Sequence, residues 1–391
     1  MLTHILNKRT PMGTLYLLNF LLGAHVALVV YFNANFLASR GISESWLGGL
    51  YILGSLISIP LYYLLPRLLN KLGVYRLLML VALAEALLYL VIGYTSFIPL
   101  VLALFVVMLA LSIPLFYGLD ILLEANTKSE SDTGNGRSSF LTMLNVAYVI
   151  SPFIAGIMLK HFGFGELYAL SAFLLVPFMF LLHREFHTFI DPVYNKFNIL
   201  PIFKKLIKDT DLRNIFIIQF LIRFFFAWMV VYMTVYLHSH IGFSLATIGI
   251  IFSVMLLPFA LLEWPLGHYA DKRYGEKEFL TLGFVIMAGA SYYLSYITSA
   301  DLALWMIALF ATRVGAAIIE VMNEIYFFKH VDGSDTDTIS AFRMLSPLAY
   351  IIGPATGSLL LLFMPMQYMF GVLGIIMLIG ILASVQLKDT K

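Results

Sequence analysis

Ionisable side chains stand in the middle of long apolar segments of this chain, where charges are costly and usually functional or paired. Arg223 and Arg313 lie near the middle of two such segments. A guanidinium group can bind a carboxylate or a phosphate through two parallel hydrogen bonds, so two arginines at this depth predict contact with an anionic ligand. They can equally be neutralised by Glu263 and Glu320, and the sequence leaves anion binding and structural pairing both open.

Other polar residues of the apolar segments have chemistry suited to substrate binding or proton transfer. A carboxyl in a dry site can take up and release a proton. Glu320 is the first candidate for proton coupling and Glu85 the second, although Glu85 can instead serve helix packing. His25 can relay a proton, hydrogen-bond a substrate or be structural. Asn19 and Gln219 lie at a useful depth and complete the candidate substrate-binding residues.

The same charge pattern occurs twice where apolar segments end. Acidic residues close two segments, and an arginine opens the segment that follows each of them. Ion pairs between the two halves of the chain would form a cytoplasmic gate here, whereas exposed interfacial charges would contribute little. The gate residues predicted in this way are Asp120, Glu124, Arg137, Glu324 and Arg343.

Composition decides which elements hold these residues. The chain has 391 residues, of which 61% are hydrophobic and 12% charged, whereas ordinary globular chains are about half apolar and a quarter charged. Continuous apolar runs of about 18 residues or more predict membrane-spanning helices, because a bilayer requires every backbone group to be bonded internally. The net charge of +2 and the lack of basic blocks argue against nucleic acid as a partner.

Patterns typical of several enzyme classes are missing from the sequence. It has no cysteine, which excludes disulfides and thiolate metal sites. It has no glycine-rich phosphate loop with lysine and no His-Glu-x-x-His pattern. We therefore predict that the chain is not an enzyme and has no catalytic residues, no bound metal and no cofactor.

Twelve apolar spans are predicted, separated by polar turns. They cover residues 13–37, 45–66, 76–95, 98–123, 138–160, 166–183, 213–237, 244–266, 278–298, 301–328, 339–363 and 366–386. Lysine and arginine concentrate in the connections on one side, while the other side holds only Arg40 and Lys160. By the positive-inside rule, this asymmetry places both termini of a multi-pass protein in the cytoplasm.

The two halves of the chain resemble each other when the sequence is shifted by about 200 residues. Under this shift Gly41 falls on Gly242, and similar matches recur across several spans. Each half has an even number of spans, so the halves are parallel, a plan known from transporters. We predict an all-α fold with six-helix bundles at residues 1–184 and 213–391. The cytoplasmic linker 185–212 joins them and contains a short amphipathic helix on the membrane surface.

Two loops carry a resemblance to a known family. The pattern Gly267-x-x-x-Asp271-Lys272-x-x-Gly275-x-Lys277 resembles the signature between helices 8 and 9 of the major facilitator superfamily, stretched by one residue. The resemblance in topology covers the whole chain, whereas the resemblance in motifs covers only these loops.

The first-half copy of this loop departs from the family pattern in two places. Asn70-Lys71-x-Gly73, followed by Arg76, is similar to the signature between helices 2 and 3 of the family. Asn70 replaces the usual aspartate, and Pro66 stands where a glycine is expected. No subfamily motif is present, including those of the sugar porters, so the resemblance does not imply a particular substrate.

The resemblance implies roles for several residues. Helices 1, 4, 7 and 10 of the family surround a central cavity, which would place Arg223 and Arg313 beside the substrate. The loop signatures hold the cytoplasmic side shut, with Asp271 facing the positive N-terminus of helix 5. Asn70 would offer helix 11 a hydrogen bond without full charge, so that second latch should be weaker.

These observations together predict a secondary active transporter of the inner, cytoplasmic membrane. It moves a small solute by alternating access, as a proton-coupled symporter or antiporter, and the substrate class predicted from the arginines is a small organic anion. Its expected partners are that substrate, protons and the lipid bilayer, and it is expected to act as a monomer. Two alternatives stay open: efflux of amphipathic drugs, and a non-transporting receptor or scaffold on the same fold.

Overall fold

The computed structural model describes residues 11–126, 130–194, 200–270, 275–331 and 335–388. These residues are almost entirely helical, and they contain no β-strand. The continuous apolar sequence explains this, because a helix bonds every backbone group within its own segment and leaves none unpaired in lipid.

The described residues of the first half form seven helices. They are α1 (Pro11–Val30), α2 (Asn33–Ser39), α3 (Glu44–Leu72), α4 (Val74–Tyr94), α5 (Ile98–Ala125), α6 (Glu130–His161) and α7 (Phe164–Phe186). The first predicted span is made by α1 and α2 together, with a turn between them at Tyr31 and Phe32.

The described residues of the second half form seven more helices. They are α8 (Leu200–Lys208), α9 (Thr210–Trp228), α10 (Leu245–Ala270), α11 (Glu276–Leu294), α12 (Leu302–His330), α13 (Thr336–Leu360) and α14 (Met366–Val385). Beyond Trp228 the same span continues through two π-helical turns, Met229–Met233 and Tyr236–His240. Such turns are rare and often occur at functional sites, and the sequence analysis did not predict them.

Ten helical segments among the described residues are long and apolar enough to cross a membrane. They correspond to ten of the twelve predicted spans. The other two, predicted at 278–298 and 339–363, form helices α11 and α13 but are not among the ten. The reason is composition, since α11 begins with Glu-Lys-Glu and α13 carries many Ser, Thr, Gly and Pro residues.

Large apolar side chains remain exposed along the outer faces of these helices. Leu87 is 56% exposed, and Phe173 and Leu382 are each 65% exposed. A water-soluble monomer rarely exposes apolar surface on this scale, whereas a lipid environment accepts it. The chain is therefore a multi-pass membrane protein.

The helices divide into two compact units. Unit 1 comprises Met1–Asn33 and Pro60–Lys196, and unit 2 comprises Ala34–Ile59 and Phe197–Lys391. Helix α3 contributes its first part to unit 2 and its last part to unit 1. The domain boundaries proposed above follow the internal repeat of the sequence and stay a prediction.

In unit 1, helix α1 packs against α5, α6 and α7, and α4 packs against α5 and α7. Gly23 lets α1 approach α6 closely, because a Cβ at this position would lie 2.7 Å from Leu144 Cδ1. Small residues allow such close approach between helices in membranes.

In unit 2, helix α9 packs against α12, α13 and α14, and α11 packs against α12 and α14. Among the described glycines, the closest approach of an added Cβ to a neighbouring backbone atom occurs between α11 and α12. A Cβ on Gly315 would lie 2.5 Å from the Gly283 carbonyl oxygen and 2.7 Å from the Met287 amide nitrogen. Because both neighbours are backbone atoms, no side chain can move aside to make room.

The amphipathic segment that was predicted within residues 185–212 forms the short helix α8. It packs against α9 and α13. Ile202 is buried, while Phe203 and Ile207 are 56% and 77% exposed beside the lysines of this helix. Exposed apolar side chains next to lysines are typical of a helix at a membrane surface, and that position stays a prediction.

Candidate functional site

The two helices that hold the central charges of unit 2 begin at aspartate caps. The Asp209 side chain accepts a hydrogen bond from the Leu212 amide at 3.0 Å, and that of Asp301 accepts one from the Leu304 amide at 3.1 Å. Such caps satisfy backbone donors that a helix start leaves unpaired. Although burial opposes it, the Leu212 amide and His330 hold the pKa of Asp209 below its ordinary value.

Arg223 on α9 and Glu320 on α12 form an ion pair in the middle of unit 2. Nη2 of Arg223 is 2.9 Å from Oε1 of Glu320. Both residues lie within about five residues of the centres of their spans, which is less than about 8 Å along a helix. This is one of the two pairings that the sequence left open for the arginines.

The Arg223–Glu320 pair is not sealed inside the protein. The Arg223 side chain is 20% exposed and that of Glu320 is 26% exposed. Charged groups at this depth avoid lipid and face either the bundle interior or a water-filled opening. The exposed part of this pair therefore points to a water-accessible surface at mid-span, which is where a polar solute could reach it.

Arg313 lies beside the same cluster but is almost fully buried. Its guanidinium carbon is 4.9 Å from the centroid of the Phe225 ring and 5.9 Å from that of Phe226. The guanidinium carbon of Arg223 is 5.7 Å from the same Phe226 ring, so one aromatic ring is shared by two cations. Tyr350 lies close enough to interact electrostatically with both arginines.

Sequence reasoning missed the two phenylalanines and Tyr350. Phe225 and Phe226 stand in an aromatic run, which looks the same whether the rings face lipid or a cation. For Tyr350 a weak signal existed, since the repeat comparison pairs it with Tyr148 in the first half.

A buried amide pair lies on the same two helices. Nδ2 of Asn323 donates to Oε1 of Gln219 at 2.9 Å, and both residues are at most 2% exposed. Gln219 was predicted as a substrate-binding residue, and its partner Asn323 was not. The Gln219–Asn323 pair thus joins the same two helices, α9 and α12, as the Arg223–Glu320 pair.

The other two predicted substrate-binding residues lie in unit 1 and are engaged there. Nδ2 of Asn19 donates to the Phe140 carbonyl oxygen at 2.7 Å, which ties α1 to α6. His25 is fully buried between Ser171 and Glu85, the second proton-coupling candidate.

The predicted gate residues form ion pairs within their own units. Nη1 of Arg137 is 3.6 Å from Oε1 of Glu124 in unit 1. In unit 2, Arg343 binds Glu324 through both guanidinium nitrogens, with Nη2 at 3.1 Å from Oε2. These two pairs differ from the expected pairs between the halves, because each joins neighbouring helices of one unit. Asp120 is exposed near the end of α5.

Asn70 also differs from expectation. Its side chain donates to the Tyr194 carbonyl oxygen at 2.9 Å and accepts from the Tyr194 amide at 3.1 Å. The Asn70 amide, expected to hydrogen-bond to the eleventh predicted span (residues 339–363, in α13), is thus occupied by the segment that follows α7. Asp191 in this segment accepts from the Val74 amide at 2.7 Å, and burial together with Asp191 raises the pKa of Tyr194.

Two residues of the sequence argument cannot be placed. Asp271 and the side chain of Glu263 lie outside the described residues. Within the described part of the chain, no three His, Asp or Glu side chains come together in a way that would hold a metal ion.

Two family models match the sequence. Residues 215–390 match the model described as Major Facilitator Superfamily, and residues 2–144 match the model described as MFS_1 like family. The chain belongs to the major facilitator superfamily. The resemblance seen in the two loop signatures is thereby confirmed. The charged residues Arg223, Arg313 and Glu320 thus belong to a member of a transporter family.

The fold of this chain is similar to solved structures of another transporter. A crystal structure of the nucleoside transporter NupG covers 97% of this chain and 100% of that chain, with a TM-score of 0.76 at 13% sequence identity. A mutant of the same transporter gives a TM-score of 0.77 at 12% identity, covering 96% of this chain and 99% of that chain. Identities this low establish a shared fold alone. No curated protein matches the sequence significantly.

Proposed function

We propose that this chain is a secondary active transporter that moves a small organic anion across the cytoplasmic membrane by alternating access. The observation that carries the proposal is the partly exposed Arg223–Glu320 ion pair at mid-span, with Arg313 beside the same aromatic ring. A carboxylate matches the guanidinium fork in shape and charge. Arg223 is the first contact of the anion, because part of its side chain is accessible, and Arg313 adds positive charge behind it.

The Arg223–Glu320 pair also suggests how transport couples to protons. An incoming anion competes with Glu320 for Arg223. Once Arg223 binds the anion, Glu320 is left at mid-span without its counter-charge, and binding a proton neutralises it. The anion and the proton then favour each other, which makes the chain a symporter, and loss of the proton drives the anion off Arg223.

The arrangement that we propose for the chain is twelve spans in two parallel six-helix repeats around a central cavity. It is supported by equivalent contacts inside each unit: α1 packs on α5, α6 and α7 as α9 packs on α12, α13 and α14. Both termini face the cytoplasm, and the protein acts as a monomer. The pairs Glu124–Arg137 and Glu324–Arg343, with Asp120, Asn70 and Asp271, belong to the proposed cytoplasmic gate.

A second candidate is transport of a neutral, hydrogen-bonding solute such as a nucleoside. The buried Gln219–Asn323 pair favours it, because amide groups recognise neutral polar ligands without a charge. NupG, which shares the fold, is a nucleoside transporter, and this makes nucleosides a class worth testing here.

A thermal-shift screen of the purified protein distinguishes these candidates. The panel contains small mono- and dicarboxylates, nucleosides and amphipathic drugs, and a ligand that binds the folded state raises the unfolding temperature. We expect a carboxylate to stabilise the wild type, and Arg223→Gln and Arg313→Gln to abolish that shift. The matched control Arg184→Gln removes a half-exposed arginine of unit 1 and should leave the shift unchanged.

Three outcomes of the screen would contradict the anion proposal. Stabilisation by nucleosides alone would favour the second candidate, and stabilisation by amphipathic drugs alone would favour drug efflux. A carboxylate shift that survives both arginine substitutions would place the anion elsewhere. A chain that gives no solute flux in vesicles under any gradient would be a receptor or scaffold.

A further inference from the structure

A second pair of titratable side chains belongs to unit 1. His25 on α1 and Glu85 on α4 have side chains that are each 0% exposed, and Nε2 of His25 is 3.5 Å from Oε1 of Glu85. Both residues lie within about one turn of the centres of their spans, Pro11–Ser39 and Val74–Tyr94. No hydrogen-bond partner for either Glu85 oxygen occurs among the described residues, and His25 is the ionisable side chain that lies against this carboxyl.

Ser171 on α7 determines which nitrogen of His25 carries a hydrogen. Nδ1 of His25 is 2.9 Å from the Ser171 carbonyl oxygen, which can only accept, so Nδ1 must donate. The Ser171 hydroxyl donates to the His25 carbonyl oxygen at 2.7 Å and can accept from Nδ1 at 2.8 Å. With Nδ1 used in this way, Nε2 is left to face Glu85.

A count of protons follows from this geometry. In one arrangement an imidazolium ion lies beside a carboxylate, and in the other a neutral imidazole lies beside a protonated carboxyl. The two arrangements differ only in the position of one proton between Nε2 and Glu85, and both are neutral overall. Adding a second proton, or removing the first, would leave a net charge in a fully buried place, which is strongly unfavourable.

Among the described side chains of the helices packed around the pair, no second charge lies at the same depth. The Tyr89 ring lies 4.4 Å from the His25 ring, and Tyr168 lies 5.6 Å from Tyr89 and donates to Asn33. The other Asp, Glu, Lys, Arg and His residues with described side chains on α4, α5, α6 and α7 lie within about two turns of a helix end.

We propose that His25 and Glu85 form a proton-binding site that holds a single proton in this structure, and that this proton is exchanged during transport. Release moves the proton from Nε2 or Oε1 to water and leaves one negative charge on the pair. Because both groups are fully buried, release requires α1, α4 and α7 to separate enough to hydrate them. The site is thus closed to proton exchange until the helices of unit 1 move. The transport part of this proposal rests on the proposed function.

The proton count can be measured without any substrate. In protein labelled with ¹⁵N at histidine, His25 is the signal that Glu85→Gln perturbs, and His25→Gln identifies it independently. The proton should be found either on Nε2 by ¹⁵N shift or on Glu85 as a protonated-carboxyl infrared band that Glu85→Gln removes. A proton on both groups, or on neither, would overturn the proposal.

Exchange of the proton is tested in vesicles with the carboxylate that the thermal-shift screen identifies. Glu85→Gln keeps the size and polarity of the side chain, but it cannot release a proton. We expect it to keep exchange of labelled for unlabelled carboxylate and to accumulate less carboxylate than the wild type under a pH gradient, because only the proton of Glu320 is then coupled to transport. Glu185→Gln, which removes an acid from an ion pair with Arg184 near the end of α7, should keep both activities.

The outcomes separate this proposal from the proposed function. Gradient-driven accumulation by Glu85→Gln that equals that of the wild type would show that the proton of this site is not exchanged, and equal loss of both activities would make Glu85 structural. If no carboxylate binds at all, the proposed function fails, while the ¹⁵N and infrared measurements still decide the proton count of the site.

Discussion

The ion pair between Arg223 and Glu320 predicts a strong energetic coupling between the two residues. Removing one partner of a buried ion pair costs about 3–5 kcal/mol, and an exposed pair contributes about 0–1 kcal/mol. With side-chain exposures of 20% and 26%, this pair lies between the two limits, and we expect each single substitution to glutamine to cost about 2 kcal/mol. The double substitution leaves no charge behind, so it should cost less than the sum of the single ones, with a coupling of about 1–2 kcal/mol.

The chain offers a matched control for this double-mutant cycle. Arg184 and Glu185 lie 2.8 Å apart, close to the 2.9 Å of the central pair, but the Arg184 side chain is 57% exposed. Water screens such a pair, so its coupling should be within about 0.5 kcal/mol of zero. The two cycles compare the same residue types at nearly the same distance. They differ in burial and in that Arg184 and Glu185 are neighbours on one helix, whereas Arg223 and Glu320 join two helices.

Thermal unfolding of the purified variants in one detergent measures both cycles. Each cycle needs the wild type, two single variants and one double variant, with the unfolding free energies compared at a common temperature. If the effects of Arg223→Gln and Glu320→Gln simply add, the two charges do not depend on each other and the reasoning is wrong. A coupling no larger than that of Arg184 and Glu185 would refute the role assigned to burial.

Two further predictions concern packing and pH. Gly315→Ala should destabilise the protein by about 1–3 kcal/mol, because its Cβ would lie 2.5 Å from the Gly283 carbonyl oxygen, whereas Gly289→Ala on open surface of α11 should be neutral or slightly stabilising. Equal unfolding temperatures for the two variants would contradict the close approach of these helices. Although burial opposes it, the hydrogen bonds from Lys205 and Thr338 lower the pKa of Asp335. The charged carboxylate therefore stabilises the fold fully at pH values above the ordinary pKa of aspartate, and this stabilisation is lost as the pH falls through the lowered pKa. Asp335→Asn should therefore lower the unfolding temperature at neutral pH and have little effect well below about pH 4; an effect that is the same at both would contradict the assignment.

Much of the fold followed from the sequence because hydropathy is a local property. An apolar run of sufficient length must be helical in a bilayer wherever its neighbours lie. The π-helical turns Met229–Met233 and Tyr236–His240 did not follow, since they depend on what packs around the helix. Helices α11 and α13 were predicted as spans but are not among the ten apolar helices, because charged and small residues lower their mean hydropathy.

The candidate site was predictable as a set of residues and not as a set of contacts. A charge inside an apolar run is visible in the sequence, and this singled out Arg223, Arg313 and Glu320. Which acid faces which arginine depends on the rotation of two helices about their axes, so Glu320 and Glu263 remained equal choices. The partner of Asn70 is Tyr194, which is 124 residues away in the chain, and no periodicity connects the two.

Helix α3 crosses from one compact unit to the other without interruption. Its residues up to Ile59 belong to unit 2, and those from Pro60 onwards belong to unit 1. Pro60 has no amide hydrogen, so the turn at the crossing lacks one backbone hydrogen bond and bends more easily than its neighbours. Pro66 weakens a second turn of the same helix, inside unit 1, so only the turn at Pro60 coincides with the boundary between the units. How easily the chain bends at this boundary is therefore set by one backbone position of α3.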